Sequence, residues 1–182
     1  MNRITLSGFA GSGKTTIGKT LAKTLRWEFI SIGNFSREYA DNYGMDINSF
    51  QNFCQKNPEI DQKIDNHFTE LINKKSNVII DYRLGYYFIN NTFNVLLQVS
   101  KDEAVNRLLK AGRSKEFKEQ SVEHIGNIIN KRNNLMKQRF IDIYKTDFTD
   151  TNNYDLVINT DKYKNIESII KLIINKANLC TY

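Results

Sequence analysis

Two hydrophobic patterns alternate along the chain: short, nearly continuous apolar runs, and longer stretches in which apolar residues recur every three or four positions. The first run, Arg3-Ile4-Thr5-Leu6-Ser7, is compatible with a strand. The stretch from Thr16 to Leu25 follows, with apolar residues at 17, 21, 22 and 25, the spacing of one helix face. Trp27 to Ile32 reads as a second strand, ended by Gly33. Asn34 to Ala40 opens a helix that Gly44 stops as the residue beyond its C-cap. Asp46 to Phe53 reads as a short helix. Asn57-Pro58-Glu59-Ile60 begins another, with Asn57 as N-cap, proline in the first helical position and an acid in the first turn. Ile60, Ile64, Phe68, Leu71 and Ile72 carry its apolar face to about Asn73.

Asn77 to Asp81 and Phe93 to Val99 are apolar almost throughout, the pattern of strands buried on both faces. Ser100-Lys101-Asp102-Glu103 has the form of a capping box for a helix from Asp102 to Ala111, with Gly112 behind it. Residues 113–121 are polar and charged and read as an excursion from the fold. An amphipathic helix from Val122 to Tyr144, a strand from Tyr154 to Thr160 and a closing helix carrying Ile166, Ile169, Ile170, Ile173, Ile174 and Ala177 complete the chain. Strands that alternate with helices, most of them apolar throughout, predict an α/β domain with a parallel sheet covered on both sides. No linker, repeat or low-complexity tract divides it, so residues 1–182 are expected to form one domain.

Composition narrows this picture little. No apolar run approaches the roughly 20 residues that span a bilayer, and Met1-Asn2-Arg3 leads straight into the first strand, so neither a membrane partner nor a targeting peptide is expected and the location is expected to be cytoplasmic. Cys54 and Cys180 have no metal-like spacing and read as reduced thiols. The formal charge of +6 permits an acidic partner. The basic residues are dispersed, with no polybasic tail and no basic block interleaved with stacking aromatics, so a phosphorylated small molecule ranks above nucleic acid. A monomer is expected.

The chemistry is concentrated at Gly8-Phe9-Ala10-Gly11-Ser12-Gly13-Lys14-Thr15, the pattern G-x-x-x-x-G-K-[ST] set between a strand and a helix. Glycines open backbone torsions closed to other residues, so successive amides can converge on phosphate oxygens, and the new helix adds the positive end of its dipole. Gly8, Gly11, Ser12, Gly13, Lys14, Thr15 and Thr16 are therefore the expected ATP-binding residues. Lys14 would reach the β- and γ-phosphates, and the Thr15 hydroxyl would ligate Mg²⁺. Asp81, closing a buried strand, stands where such a loop needs a second metal-side group, reached through water. Phosphoryl transfer also needs positive charge around the moving group. Arg37, Arg83, Arg113, Arg132 and Arg139 stand at element ends or beside the expected crevice; Arg37 and Arg83 each follow a strand end, and Arg132 and Arg139, seven apart, share a helix face. His67 and His124 read as ordinary helix residues.

These motifs, in this order, resemble a nucleoside monophosphate kinase, and within that group the short cytidylate kinase type of archaea and some bacteria. The resemblance rests on the glycine loop and on Ser31-Ile32-Gly33-Asn34-Phe35-Ser36-Arg37-Glu38, Tyr43-Gly44-Met45, Asn57-Pro58-Glu59-Ile60-Asp61, Asp81-Tyr82-Arg83-Leu84-Gly85 and Tyr154-Asp155-Leu156-Val157-Ile158-Asn159-Thr160. It implies a three-layer P-loop NTPase fold with a five-stranded parallel sheet, an acceptor-binding insertion at residues 34–75 and a lid at 111–121. It further implies that Arg37 and Arg83, with Asp61, serve the acceptor monophosphate, that Arg132 and Arg139 close over the transferring phosphoryl, and that Asn159-Thr160 lies near the donor adenine. With Lys14 and Asp81 these two arginines make the implied catalytic set for ATP + CMP or dCMP ⇌ ADP + CDP or dCDP. Three departures stand out. Tyr82 replaces the family's common glycine and is expected to crowd the acceptor pocket. Leu84 replaces the aspartate of longer bacterial cytidylate kinases. The lid segment from Ala111 to Phe117 matches weakly. Competing readings are a P-loop kinase with another acceptor (UMP, AMP or a non-nucleotide), a nucleotide-binding protein with little transferase activity, and a polynucleotide 5′-kinase.

Overall fold

Strands that are apolar on both faces have to lie in the middle of a sheet, and the chain obeys this. A computed structural model describes residues 2–110 and 122–179, apart from the side chains of Asn48 and Arg132. Among these residues, β1 (Arg3–Ser7), β2 (Glu28–Ser31), β3 (Val78–Asp81), β4 (Phe93–Gln98) and β5 (Leu156–Asn159) form one parallel sheet in the order β2-β3-β1-β4-β5. The three most buried strands, β3, β1 and β4, take its centre, while the edge strands β2 and β5 stay partly exposed. The expected 111–121 lid, Arg113, the Arg132 side chain and Cys180 fall outside the described residues.

The helices are α1 (Lys14–Leu25), α2 (Ile32–Asn42), α3 (Ile47–Lys56), α4 (Pro58–Asn73), α5 (Gly85–Phe88), α6 (Lys101–Lys110), α7 (Val122–Tyr144) and α8 (Ile166–Lys176). They cover both faces because successive strand side chains point to opposite sides. Ile79 packs with Ile17 and Leu21 of α1 and Ile170 and Ile173 of α8 on one face. Its neighbours Val78 and Ile80 pack with Phe68 and Ile72 of α4 and with Phe148 on the other. A smaller cluster of Ala40, Phe50, Cys54 and Ile64 holds α2, α3 and α4 together, so these three helices share a small core of their own. No described helix is long and apolar enough to cross a membrane.

Several boundaries differ from the pattern's prediction, each for a local reason. The Ser31 hydroxyl accepts the Gly33 amide at 3.2 Å, so the second strand ends at Ser31 and Gly33 lies inside α2 instead of stopping the strand. Asn57 takes the N-cap position of α4, but its side-chain amide donates to the Phe53 carbonyl at 2.8 Å and ties α4 back to α3. The short helix α5 was not visible in the periodicity. Its first residue, Gly85, allows it to lie on β1, since a Cβ there would come within 2.7 Å of Thr5 Cβ. Parallel pairing sets Leu6 and Ser31 level with Asp81. The segments leaving β1, β2 and β3 therefore emerge side by side at one edge, where open α/β sheets bind ligands.

Candidate active site

The loop between β1 and α1 holds its shape through backbone torsions that favour glycine: φ is +142° at Gly8, +82° at Gly11 and +89° at Gly13. Gly13 is also the N-cap of α1 and makes no side-chain cap, and a helix N-terminus of this kind suits an anion. At Gly11 the loop comes so close to α6 that an added Cβ would lie 2.8 Å from the backbone of Ala104. Ser12 is fully buried and its hydroxyl has no hydrogen-bond partner among the described residues. Lys14, 8% exposed, folds back over the loop and donates to the carbonyls of Gly8 at 2.8 Å and Phe9 at 3.0 Å.

Two further expected residues meet this loop. The Thr15 hydroxyl donates to Asp81 Oδ2 at 2.9 Å, which places two hard oxygen ligands together at the start of α1. No group of three or more His, Cys, Asp or Glu side chains that could hold a metal ion occurs among the described residues. A donor set of one hydroxyl and one carboxylate suits Mg²⁺, which keeps most of its shell as water and substrate phosphate, better than a metal that demands a protein cage. Arg83 Nε donates to the Gly8 carbonyl at 3.1 Å, and the Ser7 hydroxyl donates to the Arg83 carbonyl at 2.7 Å. An arginine from the end of β3 is thereby anchored at the mouth of the glycine loop.

The remaining acceptor-side residues divide into two groups. Arg37, one turn into α2, is exposed, and its Nη1 donates to the Gly33 carbonyl at 3.0 Å and Asn34 Oδ1 at 2.9 Å on the same helix. Asp61 of α4 faces Arg139 of α7, with Nε 3.4 Å from Oδ2. Both atoms are buried and have no hydrogen-bond partner among the described residues, so this ion pair leaves a donor and an acceptor open there. Burial raises the Asp61 carboxyl pKa above its ordinary value, against the pull of Arg139 and the Cys54 thiol. Burial likewise pushes the Cys54 thiol up to about 12, with Asp61 adding to the rise, so Cys54 stays protonated. Tyr82 does not crowd an open pocket. It is 2% exposed, its ring packs against Phe68 and stacks on Phe88, and its hydroxyl donates to Asp65 Oδ1 at 2.7 Å.

Two residues at the site escaped the sequence reading. Arg107 of α6 donates to Thr160 Oγ1 and Glu103 Oε1, both at 2.8 Å, lies 3.7 Å from Asp161 and reaches the Gly11 carbonyl at 3.5 Å. It links the glycine loop to the segment after β5. Its only sequence signal was a Glu103/Arg107 spacing shared by many surface helices. Phe148, in a stretch with no periodic pattern, is fully buried and props Phe9 of the glycine loop edge-to-face at 5.1 Å. Beside them opens a cavity of about 380 Å³ walled by Gly8, Phe9, Leu97, Phe148, Asn159 and Asp161. That volume suits a nucleobase with part of its sugar, and it includes the Asn159 expected on the donor side.

Residues 3–162 match the cytidylate kinase-like family. The chain is 30% identical over 170 residues to a cytidylate kinase of Methanosphaera stadtmanae, covering 93% of this chain and 94% of that protein. It is 49% identical over 160 residues to an S-adenosylmethionine-dependent nucleotide dehydratase of Lacinutrix mariniflava. That match covers 87% of this chain, which spans 32% of the dehydratase's length. Among solved structures, a shikimate kinase from Bacteroides thetaiotaomicron superposes with a TM-score of 0.64 at 20% identity, covering 98% of this chain and 99% of that one. At that identity the likeness shows the shared P-loop kinase fold.

Proposed function

The chain belongs to the cytidylate kinase-like family, and on that premise we propose that it transfers the γ-phosphoryl of ATP to CMP or dCMP. The observation that carries this reading is the anchoring of Arg83 on the carbonyl of Gly8, next to the Thr15–Asp81 pair, which puts a cation able to clamp a second phosphate beside the expected donor cradle. A protein that only bound ATP would need the cradle and not the clamp.

In this reading the amides of Gly11, Ser12, Gly13, Thr15 and Thr16 hold the donor phosphates, and Lys14 exchanges the carbonyls of Gly8 and Phe9 for phosphate oxygens. Arg37 and Arg83, with Asp61, hold the acceptor. An oxygen of the acceptor phosphate attacks the γ-phosphorus, the bond from that phosphorus to the β-bridging oxygen breaks, and ADP departs. No side-chain nucleophile is required. Arg139, and Arg132 seven residues before it on α7, neutralise the charge carried by the moving group. Thr15 directly and Asp81 through water would hold Mg²⁺, which when bound screens the β- and γ-phosphate charge.

The test is turnover of Mg-ATP with a panel of CMP, dCMP, UMP, AMP, GMP and non-nucleotide alcohols. Transfer to CMP or dCMP with the highest kcat/KM supports the proposal; transfer to another acceptor but never to these sinks it. A second reading has its own support in the 49% identity to part of a nucleotide dehydratase. In that reading the acceptor is a monophosphate whose phosphorylated form is a product of S-adenosylmethionine-dependent dehydration. A dehydrated nucleoside monophosphate in the panel separates it, because preference for that compound over CMP favours the second reading.

A further inference from the structure

Where α4, α7 and the end of β3 meet, one carboxylate binds all three. Asp65 of α4 is 8% exposed and accepts the Tyr82 hydroxyl on Oδ1 at 2.7 Å and the Tyr144 hydroxyl on Oδ2 at 2.5 Å. Tyr82 stands between Asp81 and Arg83, the two β3-end residues at the mouth of the glycine loop. Tyr144 is the last residue of α7, five beyond Arg139. One turn back along α4, Asp61 faces Arg139 at 3.4 Å. The two helices thus meet at two rungs, Asp61 with Arg139 and Asp65 with Tyr144, and Tyr82 fastens the second rung to the sheet. Phe88 closes the gap, stacked on Tyr82 at 5.9 Å and edge-on to Tyr144 at 5.1 Å.

We propose that Asp65 is a positioning residue for the phosphoryl transfer described above. By accepting both tyrosine hydroxyls it holds the acceptor insertion, Arg83 and Arg139 in one working arrangement. The proposal rests on that functional reading. Its physical basis is the character of the contact. An apolar side chain of this size would fill the site with less desolvation, but could not demand two hydroxyls at fixed directions. The groups facing Asp65 are Tyr82 and Tyr144, with Asp61 and Arg139 close by and Cys54 of α3 behind Asp61. Burial is the largest influence and raises the carboxyl pKa to about 6, with the two hydroxyls and Arg139 opposing the rise and Asp61 adding to it. Asp65 is therefore mostly ionised at neutral pH, and its charge adds to that of Asp61 in orienting the Arg139 guanidinium.

The experiment uses the full chain with Asp65→Asn and Tyr144→Phe. The amide of Asp65→Asn can accept one hydroxyl and donate to the other tyrosine oxygen, so shape and pairing survive while the charge is lost. The expected result is a roughly tenfold to hundredfold drop in kcat/KM for the acceptor, with KM for ATP within about twofold of wild type. Tyr144→Phe should act in the same direction, and the double variant should be no worse than the poorer single one. The ratio of wild type to Asp65→Asn should approach one near pH 5, where Asp65 is protonated, and reach its plateau by about pH 7.5. The acceptor phosphate also titrates near 6, but equally in both proteins, and cancels from the ratio. A folded Asp65→Asn protein with wild-type acceptor kcat/KM across this range, or with equal losses for ATP and acceptor, overturns the proposal.

If wild type transfers to no acceptor, the functional reading fails by itself and amide hydrogen exchange decides the role of Asp65. Faster exchange in α4 and in the last two turns of α7 together is expected for Tyr144→Phe. Unchanged exchange in both refutes the positioning role of Asp65.

Discussion

Gly11 and Gly13 form a matched pair that separates backbone strain from close packing. Both sit in the left-handed region, at φ +82° and +89°, so alanine at either incurs a conformational cost of about 1–2 kcal/mol. Their surroundings differ. A Cβ on Gly13 meets only the far end of Ile17, with Cδ1 at 3.3 Å, which can move aside. A Cβ on Gly11 lies 2.8 Å from Cα, Cβ and the carbonyl oxygen of Ala104, a buried residue of α6, and cannot be accommodated unless the loop or the helix shifts. Overpacking of that kind adds about 1–3 kcal/mol. Gly13→Ala should therefore lower stability by about 1–2 kcal/mol and Gly11→Ala by about 2–5 kcal/mol. For a chain of this length these correspond to Tm losses of roughly 2–8 °C and 4–20 °C. Thermal unfolding followed by circular dichroism, without nucleotide, keeps ligand linkage out of the comparison. Ala104→Gly in the Gly11→Ala background removes one of the three close atoms and should recover part of the loss. Equal Tm values for the two alanine variants, or a larger loss at Gly13, would refute the account of how the loop is seated on α6.

Three further outcomes follow from named residues. Lys14→Ala should reduce transfer by about a hundredfold or more while the fold persists, because a donor aimed at developing phosphate charge is lost; near-normal turnover would remove the central functional proposal. Arg37→Ala should raise KM for the acceptor far more than KM for ATP in steady-state kinetics if Arg37, in α2 after β2, holds the acceptor as proposed, and equal effects would misplace it. Asp65 gives a stability prediction of defined sign. Its carboxyl pKa rises from the ordinary 3.8 to about 6 on folding, so the folded chain holds the proton more tightly and this contribution is full below about pH 4 and lost as pH climbs through 6. The rise corresponds to about 3 kcal/mol, so denaturant titrations should show wild type losing stability relative to Asp65→Asn between pH 4 and 6.5, and a flat difference would contradict it.

The parts of the site that were legible are those written in neighbouring residues. Gly8 to Thr15 carries its own torsional and electrostatic requirements, and the loop adopts them. Asp81 was readable because a buried strand ending in an acid has few other uses, and its carboxylate does meet Thr15. Arg83 and Arg37 were both read as following strand ends, yet Arg37 lies one turn into α2 and bonds within that helix, while Arg83 is anchored at the glycine loop, a difference that depends on which strand lies beside β1. Arg107 and Phe148 stayed hidden because the partners that give them meaning, Thr160 and Phe9, are 53 and 139 residues away in the chain.

By itself, then, the order of apolar runs and amphipathic stretches determined an α/β domain with a phosphate-binding loop, because periodicity and glycine torsions act over a few residues. Which strands are neighbours, which arginine faces which acid, and where Tyr82 goes were decided only when distant segments met. Tyr82 shows the reason. From the sequence it was an oversized residue next to Arg83; in the fold it is a buried ring whose hydroxyl meets Asp65, 17 residues back, which also holds Tyr144, 79 residues on from Asp65. A side chain's consequence depends on the volume and partners it meets, and those are properties of tertiary packing that local pattern does not carry.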